Sequence, residues 1–291
     1  MASAGSSGRV VMVDITQRGR AMNLIDGDIL PYKCGFATQE TTYETVDGEV
    51  HATPTAAKKH ILNMTKIGTP LPDDTVTSCV EAEPLSHALK LVKNLLLRVE
   101  TRTGIKARRI FLTGDTNYRT EAATIAPYKG NRTQPKPLHW KAIRRYLIDK
   151  CDAEITDGNE ADDALGIYQT DDTIICTIDK DLDMVPGTHY NWDKDIIYDV
   201  SPEQGVYNFY HQLLTGDSTD NIPGIPGIGA KRADLILNGL GSEEEFYLAA
   251  LEAYGKKYDH PFEALLENAW LLWIQREPNE LWYPPILRKT L

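Results

Sequence analysis

Short apolar runs alternate along the chain with segments whose apolar residues recur every three or four positions. The runs have the length of single strands, and the recurring spacing is that of an amphipathic helix. Strands are predicted at Val10–Ile15, Met22–Ile25, Arg109–Thr113 and Thr173–Ile178. Helices are predicted at Ser86–Arg102, about Leu138–Cys151, Glu160–Tyr168, Val206–Leu214, Arg232–Leu237, 243–254 and 262–275. Because strands alternate with helices, we predict an α/β fold with a mostly parallel central sheet and flanking helices.

Two regions depart from this alternation. Residues 38–85 look irregular apart from one hairpin, whose turn is Asp47–Gly48. Near residue 220, a Gly/Pro-rich hairpin lies between two predicted helices. We therefore predict a core at 1–200 with an insertion at 38–85. A helical region at 201–291 should follow it, with a helix–hairpin–helix at about 206–240.

Carboxylates follow three of the predicted strands and open one predicted helix. They are Asp26, Asp115, Glu160, Asp162, Asp163, Asp179 and Asp181, with a further pair at Asp217 and Asp220. In an open α/β sheet the ligand site lies beyond the carboxyl ends of the strands, so these acids should meet in one crevice. Crowded carboxylates cannot all ionise unless cations lie among them, and hard oxygen ligands favour Mg²⁺ or Mn²⁺. Two such ions are a standard device for cutting phosphodiesters.

Each acidic motif taken alone has a simpler explanation. Asp179 and Asp181 are also typical of a solvated acidic loop. Glu160 and Asp163 are typical of a helix start, where acids complement the helix dipole. Single acids such as Asp26 are common at strand ends and turns. The metal hypothesis therefore depends on the motifs occurring together.

Two further segments carry candidate phosphate contacts. The hairpin Gly224–Lys231 could aim backbone N–H groups at a phosphate, or could be a plain corner between two helices. Tyr128, Lys129 and Arg132 put an aromatic ring beside two cations spaced one helical turn apart. Both cations could face one phosphate, and Tyr128 could stack on a base. An exposed basic loop would show the same pattern.

Composition narrows the class of protein. The 291 residues are 42% hydrophobic and 25% charged, with no apolar run long enough to span a membrane. Four cysteines without CxxC spacing argue against a zinc site or a disulfide framework, so we expect reduced thiols in a cytoplasm. Net charge is −11, yet residues 98–150 carry thirteen Lys or Arg and four Asp or Glu. One basic band in an acidic protein fits a metallonuclease, and fits equally a solvated basic face.

Six ordered motifs resemble those of the bacteriophage and bacterial 5′-nuclease family. They are IDGDILPYK, FLTGD, APYKGNR, GNEADDALG, TIDKDLDMV and GDSTDNIPGIPGIGAKRA. The family includes phage flap endonucleases, 5′→3′ exonucleases, RNase H-type primer removers and the 5′-nuclease domain of bacterial DNA polymerase I. The resemblance covers about residues 22–37 and 105–240. It implies a PIN-like 5′-nuclease fold with a helical arch near 116–140.

The resemblance also implies roles for single residues. The implied metal ligands are Asp26, Asp115, Glu160, Asp162, Asp163, Asp179, Asp181, Asp217 and Asp220. Lys129 and Arg132 match the basic pair that handles the scissile phosphate at the foot of the arch, and Lys33 matches a third basic position. The hairpin matches a helix–hairpin–helix that grips duplex DNA. The implied DNA contacts are Tyr128, Gly227, Gly229, Lys231 and Arg232.

We therefore expect a two-metal-ion 5′→3′ exodeoxyribonuclease or flap endonuclease that acts on DNA with 5′ ends or flaps, in replication or repair. The resemblance implies two or more Mg²⁺ or Mn²⁺ ions in the site and allows K⁺ at the hairpin. We also expect a monomer in a bacterial or phage-infected cytoplasm, without a membrane partner. Two alternatives stay open. One is an RNase H-type nuclease that acts on RNA–DNA hybrids, and the other is a structure-specific DNA-binding protein without catalysis.

Overall fold

The computed structural model describes residues 22–69 and 76–288, so the predicted strand Val10–Ile15 lies outside the described residues. The described strands are β1 (Met22–Asp26), β2 (Gln39–Thr45), β3 (Val50–His51), β4 (Val76–Ala82), β5 (Arg108–Asn117), β6 (Glu154–Gly158), β7 (Thr173–Cys176), β8 (Gly187–Asn191) and β9 (Ile196–Val200). Six of them form one sheet in the order β6-β5-β1-β7-β8-β9. Adjacent strands of this sheet are parallel, except that β8 and β9 are antiparallel. The predicted α/β fold with a mostly parallel sheet is confirmed.

Most predicted helices are present within a few residues of their expected bounds. The described helices are α1 (Ile29–Phe36), α2 (Pro54–Lys66), α3 (Leu85–Thr103), α4 (Tyr118–Ala122), α5 (Trp140–Cys151), α6 (Ala161–Tyr168), α7 (Pro202–Thr215), α8 (Ala230–Leu237), α9 (Glu243–Gly255), α10 (Pro261–Leu272) and α11 (Pro285–Arg288), with a 3₁₀ helix at Lys180–Met184. The segment 116–140, where an arch was expected, holds the five-residue α4 and is otherwise largely irregular. No described helix is long and apolar enough to cross a membrane.

The described residues fall into two compact units. The first takes in the described parts of Met1–Ile29, Leu95–Gln134 and Leu147–Leu291. Its core extends from the central sheet into the C-terminal helices, with buried Leu24 and Ile175 in the same apolar cluster as Phe209, Leu265 and Trp282. The six-stranded sheet and the helices after α7 therefore share one hydrophobic core.

The second unit takes in Leu30–Asn94 and Pro135–Tyr146. Its strands form an antiparallel sheet in the order β3-β2-β4, and α2 packs on this sheet. The prediction that 38–85 is irregular was therefore wrong, although its hairpin at Asp47–Gly48 is confirmed. The regular structure escaped notice because little of it is buried. Thr45 is the one buried residue of β2, and α2 buries only Ala57 and Ile61.

Strand β1 sets the position of the site within the first unit. It lies between β5 and β7 and is parallel to both, and its last four residues are buried. Parallel sheets are covered on both faces, so ligands reach them at the carboxyl ends of the strands. Asp26 ends β1 at that edge, and the turn after β7 starts there. The acidic turns are therefore brought to one edge of the sheet.

Candidate active site

Seven of the predicted acids come together at the carboxyl edge of the central sheet. We call them the carboxylate cluster: Asp26, Glu160, Asp162, Asp179, Asp181, Asp217 and Asp220. Five of them line a single cleft, namely Glu160, Asp162, Asp181, Asp217 and Asp220. The other two, Asp26 and Asp179, lie close enough for their charges to act on Asp162. Burial, followed by the charges of Asp26 and Asp179, raises the pKa of Asp162 well above its usual range.

Turns at the ends of β1 and β7 place three of these acids. Asp26 is the last residue of β1, and its Oδ2 accepts a hydrogen bond of 2.9 Å from the Thr177 hydroxyl. Asp179 is the N-cap of the 3₁₀ helix, where its Oδ1 accepts from the Asp181 backbone N–H at 2.9 Å. This tight turn holds Asp179 and Asp181 beside the end of β1.

The other members come from a helix start and a loop. Glu160 is the N-cap of α6, and Asp162 lies in the first turn of that helix. Asp217 follows α7, and its backbone exchanges hydrogen bonds of 2.9 and 2.7 Å with Ile222. This small closed loop carries Asp220 and leads directly into the Gly-rich hairpin.

Burial and mutual repulsion keep the cluster from ionising fully. Burial, together with the nearby charge of Asp28, raises the pKa of Asp26 to about 7. Burial and the charge of Asp179 raise the pKa of Asp181 to about 8. Burial opposes ionisation of Asp217, but a hydrogen bond with Asp181 and backbone N–H donors outweigh it and lower the pKa of Asp217. The interaction between the two side chains therefore shifts their pKa values in opposite directions, with Asp181 the one that favours the protonated form.

A cationic loop meets the cluster from the other side. The Nζ of Lys129 lies 2.5 Å from Oε1 of Glu160 and 3.4 Å from Oδ2 of Asp220. Arg132 donates from Nη2 to Asp220 Oδ1 at 2.5 Å. The Tyr128 hydroxyl contacts both Glu160 and Asp220, at 3.0 and 2.9 Å. Burial alone would lower the pKa of Lys129, but Glu160 and Asp220 outweigh it, so that its pKa is raised and the side chain stays charged.

Backbone contacts fix this loop in place. The Lys129 N–H donates to the Asp220 carbonyl at 2.8 Å. Side-chain amides close the contact from both directions, because Asn131 donates to the Ser218 carbonyl at 2.6 Å and Asn221 to the Pro127 carbonyl at 2.8 Å. The loop therefore aims its cations at the cluster through contacts that do not depend on those cations.

Asp163 has a different environment from its neighbour Asp162. Its two oxygens accept from the Arg119 guanidinium at 2.6 and 2.9 Å, and both side chains are buried. It also accepts from the backbone N–H groups of Glu160 at 2.9 Å and Gln275 at 3.1 Å. Arg119 was not identified from the sequence. No pattern marks it as buried, because its partners lie more than 40 residues away along the chain.

Asp115 does not line the cleft. It is exposed on β5, and its N–H donates to Asp157 Oδ1 at 3.2 Å. The strand register explains this position: Asp26 pairs with Phe111, so Asp115 lies four residues further along β5. The strand is irregular here, because the step from Thr113 to Asn117 on β5 matches only the step from Thr156 to Gly158 on β6, so Asp115 lies on a bulged stretch past the end of β1. Lys33 lies in the last turn of α1, in the second compact unit.

The Gly-rich hairpin and the loop before it have a closely packed backbone with several positive φ angles. Gly216 and Gly224 both have positive φ, and a Cβ on Gly224 would lie 2.2 Å from the Gly216 nitrogen. Gly227 has φ +83, and Gly229 is the N-cap of α8. Arg232 donates to the Gly227 carbonyl at 2.6 Å and so braces the turn. Lys231 lies beside it and is exposed.

The chemistry of the cluster suits hard divalent cations. All its donors are carboxylate oxygens, which Mg²⁺ and Mn²⁺ prefer over soft metals. Several of these carboxylates hold raised pKa values that a bound cation would lower. Within 22–69 and 76–288, no three His, Cys, Asp or Glu side chains are already arranged as the ligands of one ion. The donor atoms of the cluster thus suit Mg²⁺ or Mn²⁺, and the side chains would move into a coordination geometry when the ion binds.

Sequence comparisons find 5′-nucleases and DNA polymerases. The chain is 32% identical to flap endonuclease Xni of Vibrio atlanticus over 170 residues, which is 51% of this chain and 64% of that protein. It is 31% identical to DNA polymerase I of Bacillus caldotenax over 173 residues, 50% of this chain and 19% of the polymerase. A 5′-3′ exonuclease of Buchnera aphidicola is 34% identical over 103 residues, 30% of this chain and 34% of that protein.

The alignment thus spans less than two thirds of each of these relatives. No protein-family model matches the chain. Among solved structures, T5 5′-exonuclease with bound zinc is similar at 17% identity and a TM-score of 0.48, covering 86% of this chain and 89% of that one. The catalytic core of Rad2 with DNA substrate is 11% identical with a TM-score of 0.44, covering 96% and 88%. The sequence relatives confirm the resemblance to the 5′-nuclease family.

Proposed function

We propose that the chain is a divalent-metal-dependent 5′-nuclease that hydrolyses DNA phosphodiesters at or near 5′ ends, as a flap endonuclease, a 5′→3′ exonuclease or both. The observation that carries the proposal is the carboxylate cluster facing Lys129 and Arg132. A protein that only binds DNA would gain nothing from burying so many negative charges next to its ligand. In a hydrolase the same carboxylates would bind metal ions, next to cations that can reach a phosphate.

The cluster would hold two or more Mg²⁺ or Mn²⁺ ions. Bound there, such ions supply an activated water and stabilise charge on the leaving oxygen. Asp26, Asp162, Asp179 and Asp181 are the residues placed to hold them in the buried part of the site, and Asp217 lies beside Asp181. Asp115, on the strand next to β1, is assigned to the outer rim of the site.

Lys129 and Arg132 would act on the phosphate itself. In the structure they pair with Glu160 and Asp220, two carboxylates that bound metal ions would neutralise. Their ammonium and guanidinium groups could then donate to the non-bridging oxygens of the scissile phosphate as negative charge develops. The Tyr128 hydroxyl donates to Glu160, so this hydroxyl is the part of the side chain that contacts the carboxylate cluster. Stacking of this ring on a base stays a prediction.

The hairpin would hold the duplex by its backbone. Gly227 and Gly229 allow close approach of a phosphate, and Lys231 and Arg232 follow immediately. The loop that carries Asp217 and Asp220 runs directly into this hairpin, so duplex binding and the metal site are joined by a few residues of chain. The hairpin would also bind K⁺. We propose that the protein acts as a monomer, and RNA–DNA hybrids are a further candidate substrate.

Asp181→Asn tests the proposed function. The substitution removes one metal ligand without changing its shape, so we expect Mg²⁺-dependent cleavage to be abolished. DNA affinity should stay the same or rise, because one repulsive charge is lost. Asp183→Asn is the matched control. It lies in the same 3₁₀ helix and accepts from the Tyr198 hydroxyl at 2.6 Å, which an Asn oxygen can also do.

The assay is a panel of 5′-labelled flap, nicked, gapped and RNA–DNA substrates with Mg²⁺, Mn²⁺ or EDTA. Cleavage of the DNA flap or of the 5′ end by the wild type, lost in Asp181→Asn and retained in Asp183→Asn, is the expected result. Tight binding of every substrate without metal-dependent cleavage would identify a DNA-binding protein instead. Cleavage confined to the RNA strand of the hybrid would identify an RNase H-type primer remover.

A further inference from the structure

The buried pair between Arg119 and Asp163 borders the carboxylate cluster, because Arg119 lines the same cleft and its Nη1 lies 4.0 Å from Oε2 of Glu160. Arg119 is 2% exposed, and its guanidinium makes four hydrogen bonds. Two go to Asp163, one goes to the Leu271 carbonyl at 2.9 Å, and one goes to the Trp273 carbonyl at 2.6 Å. A planar guanidinium can satisfy this set of acceptors at fixed angles, and an ammonium group cannot.

Asp163 transmits this rigidity to Glu160. Its Oδ2 accepts the backbone N–H of Glu160 at 2.9 Å, and this residue is the N-cap of α6. A second link runs through Asn117, whose Oδ1 accepts from the Arg119 N–H at 3.0 Å and whose Nδ2 donates to Glu160 Oε1 at 2.8 Å. Glu160 is therefore held at its backbone by Asp163, whose carboxylate Arg119 fixes, and at its carboxylate by Asn117, which caps the helix that carries Arg119.

The same pair connects the site to the C-terminal helices. Leu271 is in the last turn of α10, and Trp273 follows that helix, so Arg119 satisfies carbonyls that the helix end leaves without an intrahelical partner. Gln275 donates its N–H to Asp163 at 3.1 Å. The backbone of residues 271–275 thus supplies hydrogen-bond partners to both members of the pair, although no motif marks this segment in the sequence.

We propose that Arg119 and Asp163 are positioning residues, which fix Glu160 in the carboxylate cluster and make the C-terminal segment 271–275 part of the support of the active site. Asp163, fixed by Arg119, then serves the site through its hydrogen bond to Glu160 rather than as a metal ligand. The inference rests on the proposed function, because Glu160 must be a metal-site carboxylate for its position to matter. Partners of metal ligands commonly change metal affinity by 10–100-fold when they are altered.

Arg119→Lys and Asp163→Asn test the proposal through Mn²⁺ affinity, measured by calorimetry on the full chain. We expect each variant to bind Mn²⁺ about 10–100-fold more weakly than the wild type. The matched controls are Arg109→Lys and Glu154→Gln. Arg109 and Glu154 form a similar two-bonded pair, at 2.7 and 2.6 Å, on the neighbouring strands β5 and β6 but outside the cleft.

A double variant keeps the test valid if the single variants do not fold. Arg119→Met with Asp163→Leu removes both charges of the buried pair together, so that neither charge is left buried without its partner. Where circular dichroism shows it folded, it should still bind Mn²⁺ weakly, because the Glu160 backbone N–H has lost its acceptor. Wild-type Mn²⁺ affinity in any folded variant overturns the proposal. If the wild type itself neither binds Mn²⁺ nor cleaves DNA, the proposed function fails, and this inference fails with it.

Discussion

Replacing Lys129 by Ala separates a catalytic role for this cation from a docking role. The change removes a charge whose nitrogen lies 2.5 Å from Glu160 and 3.4 Å from Asp220. It leaves the loop anchored, because the N–H of residue 129 still bonds the Asp220 carbonyl and Asn131 still bonds Ser218. Lys129 has φ +55, a conformation that strains Lys and Ala alike, so the backbone adds no difference between the two proteins.

The expected size of the effect follows from the position of Lys129. Its side chain is only 26% exposed, so its charge acts in a partly desolvated site, where electrostatic stabilisation of a transition state is strong. Losing one such donor typically costs 10²–10³-fold in rate, about 2.7–4 kcal/mol. Binding of a duplex depends on many phosphate contacts, of which Lys129 would supply one. We therefore expect a large loss of rate and a small change in Kd.

The assay is single-turnover cleavage of a 5′-flap substrate at saturating enzyme, with Kd measured by fluorescence anisotropy in Mg²⁺ on a flap whose scissile linkage cannot be hydrolysed. Both kcat and kcat/KM should fall together in Lys129→Ala, as expected for a contact made in the transition state. Lys129→Arg, which keeps the charge, is the control and should recover part of the rate. If the Ala variant cleaves at a near wild-type rate once saturated with DNA, Lys129 is only a docking residue.

Two further predictions concern pH and salt. In the folded protein the pKa of Asp26 is raised to about 7 and that of Asp181 to about 8, whereas an Asp side chain in the unfolded chain has a pKa of about 4. Between these pH values the folded protein therefore holds protons that the unfolded chain has released. The Tm of the metal-free protein should therefore fall as pH rises from 5 to 8, and Mg²⁺ should raise it more at pH 8 than at pH 5; a flat profile in EDTA would contradict this. Lys231→Ala should weaken duplex binding equally for all sequences and lower the salt slope by about 0.9, whereas Lys106→Ala, at the amino end of β5, should not. Loss of binding to some sequences only would count against a backbone contact.

Sequence reasoning predicted most of the residues that meet in the candidate site, because these acids lie at strand ends. Asp26 and Asp179 follow apolar runs that are buried strands, and parallel strands bring their carboxyl ends to one edge. Hydrophobic patterning was sufficient here because these strands are central and covered on both faces. The same patterning failed for β2 and α2 of the second unit, where few side chains are buried and the apolar signal is weak.

Details that depend on register or on distant partners could not be read from the sequence. Asp115 follows an apolar run just as Asp26 does, but the register of β1 against β5 displaces it along the strand. Asp162 and Asp163 are adjacent acids of one helical turn, and only the direction of each side chain decides which one meets Arg119. Arg119 itself has no sequence signal, because nothing in its local pattern shows that Leu271 and Trp273 will pack around it.

The balance of charge in the site links these observations to the proposed mechanism. Seven carboxylates form the cluster, and Lys129 and Arg132 form ion pairs with its members Glu160 and Asp220. Arg119 also lies 4.0 Å from Glu160, but its charge is paired with Asp163. Two cations cannot neutralise seven buried or half-buried carboxylates, which is why several of them hold raised pKa values. Two divalent ions would supply most of the missing charge. The metal ions would then neutralise Glu160 and Asp220, so that Lys129 and Arg132 could bind a phosphate instead. Metal binding and phosphate recognition are therefore expected to be coupled, with Mg²⁺ strengthening the contribution of Lys129 to the binding of a 5′ phosphodiester.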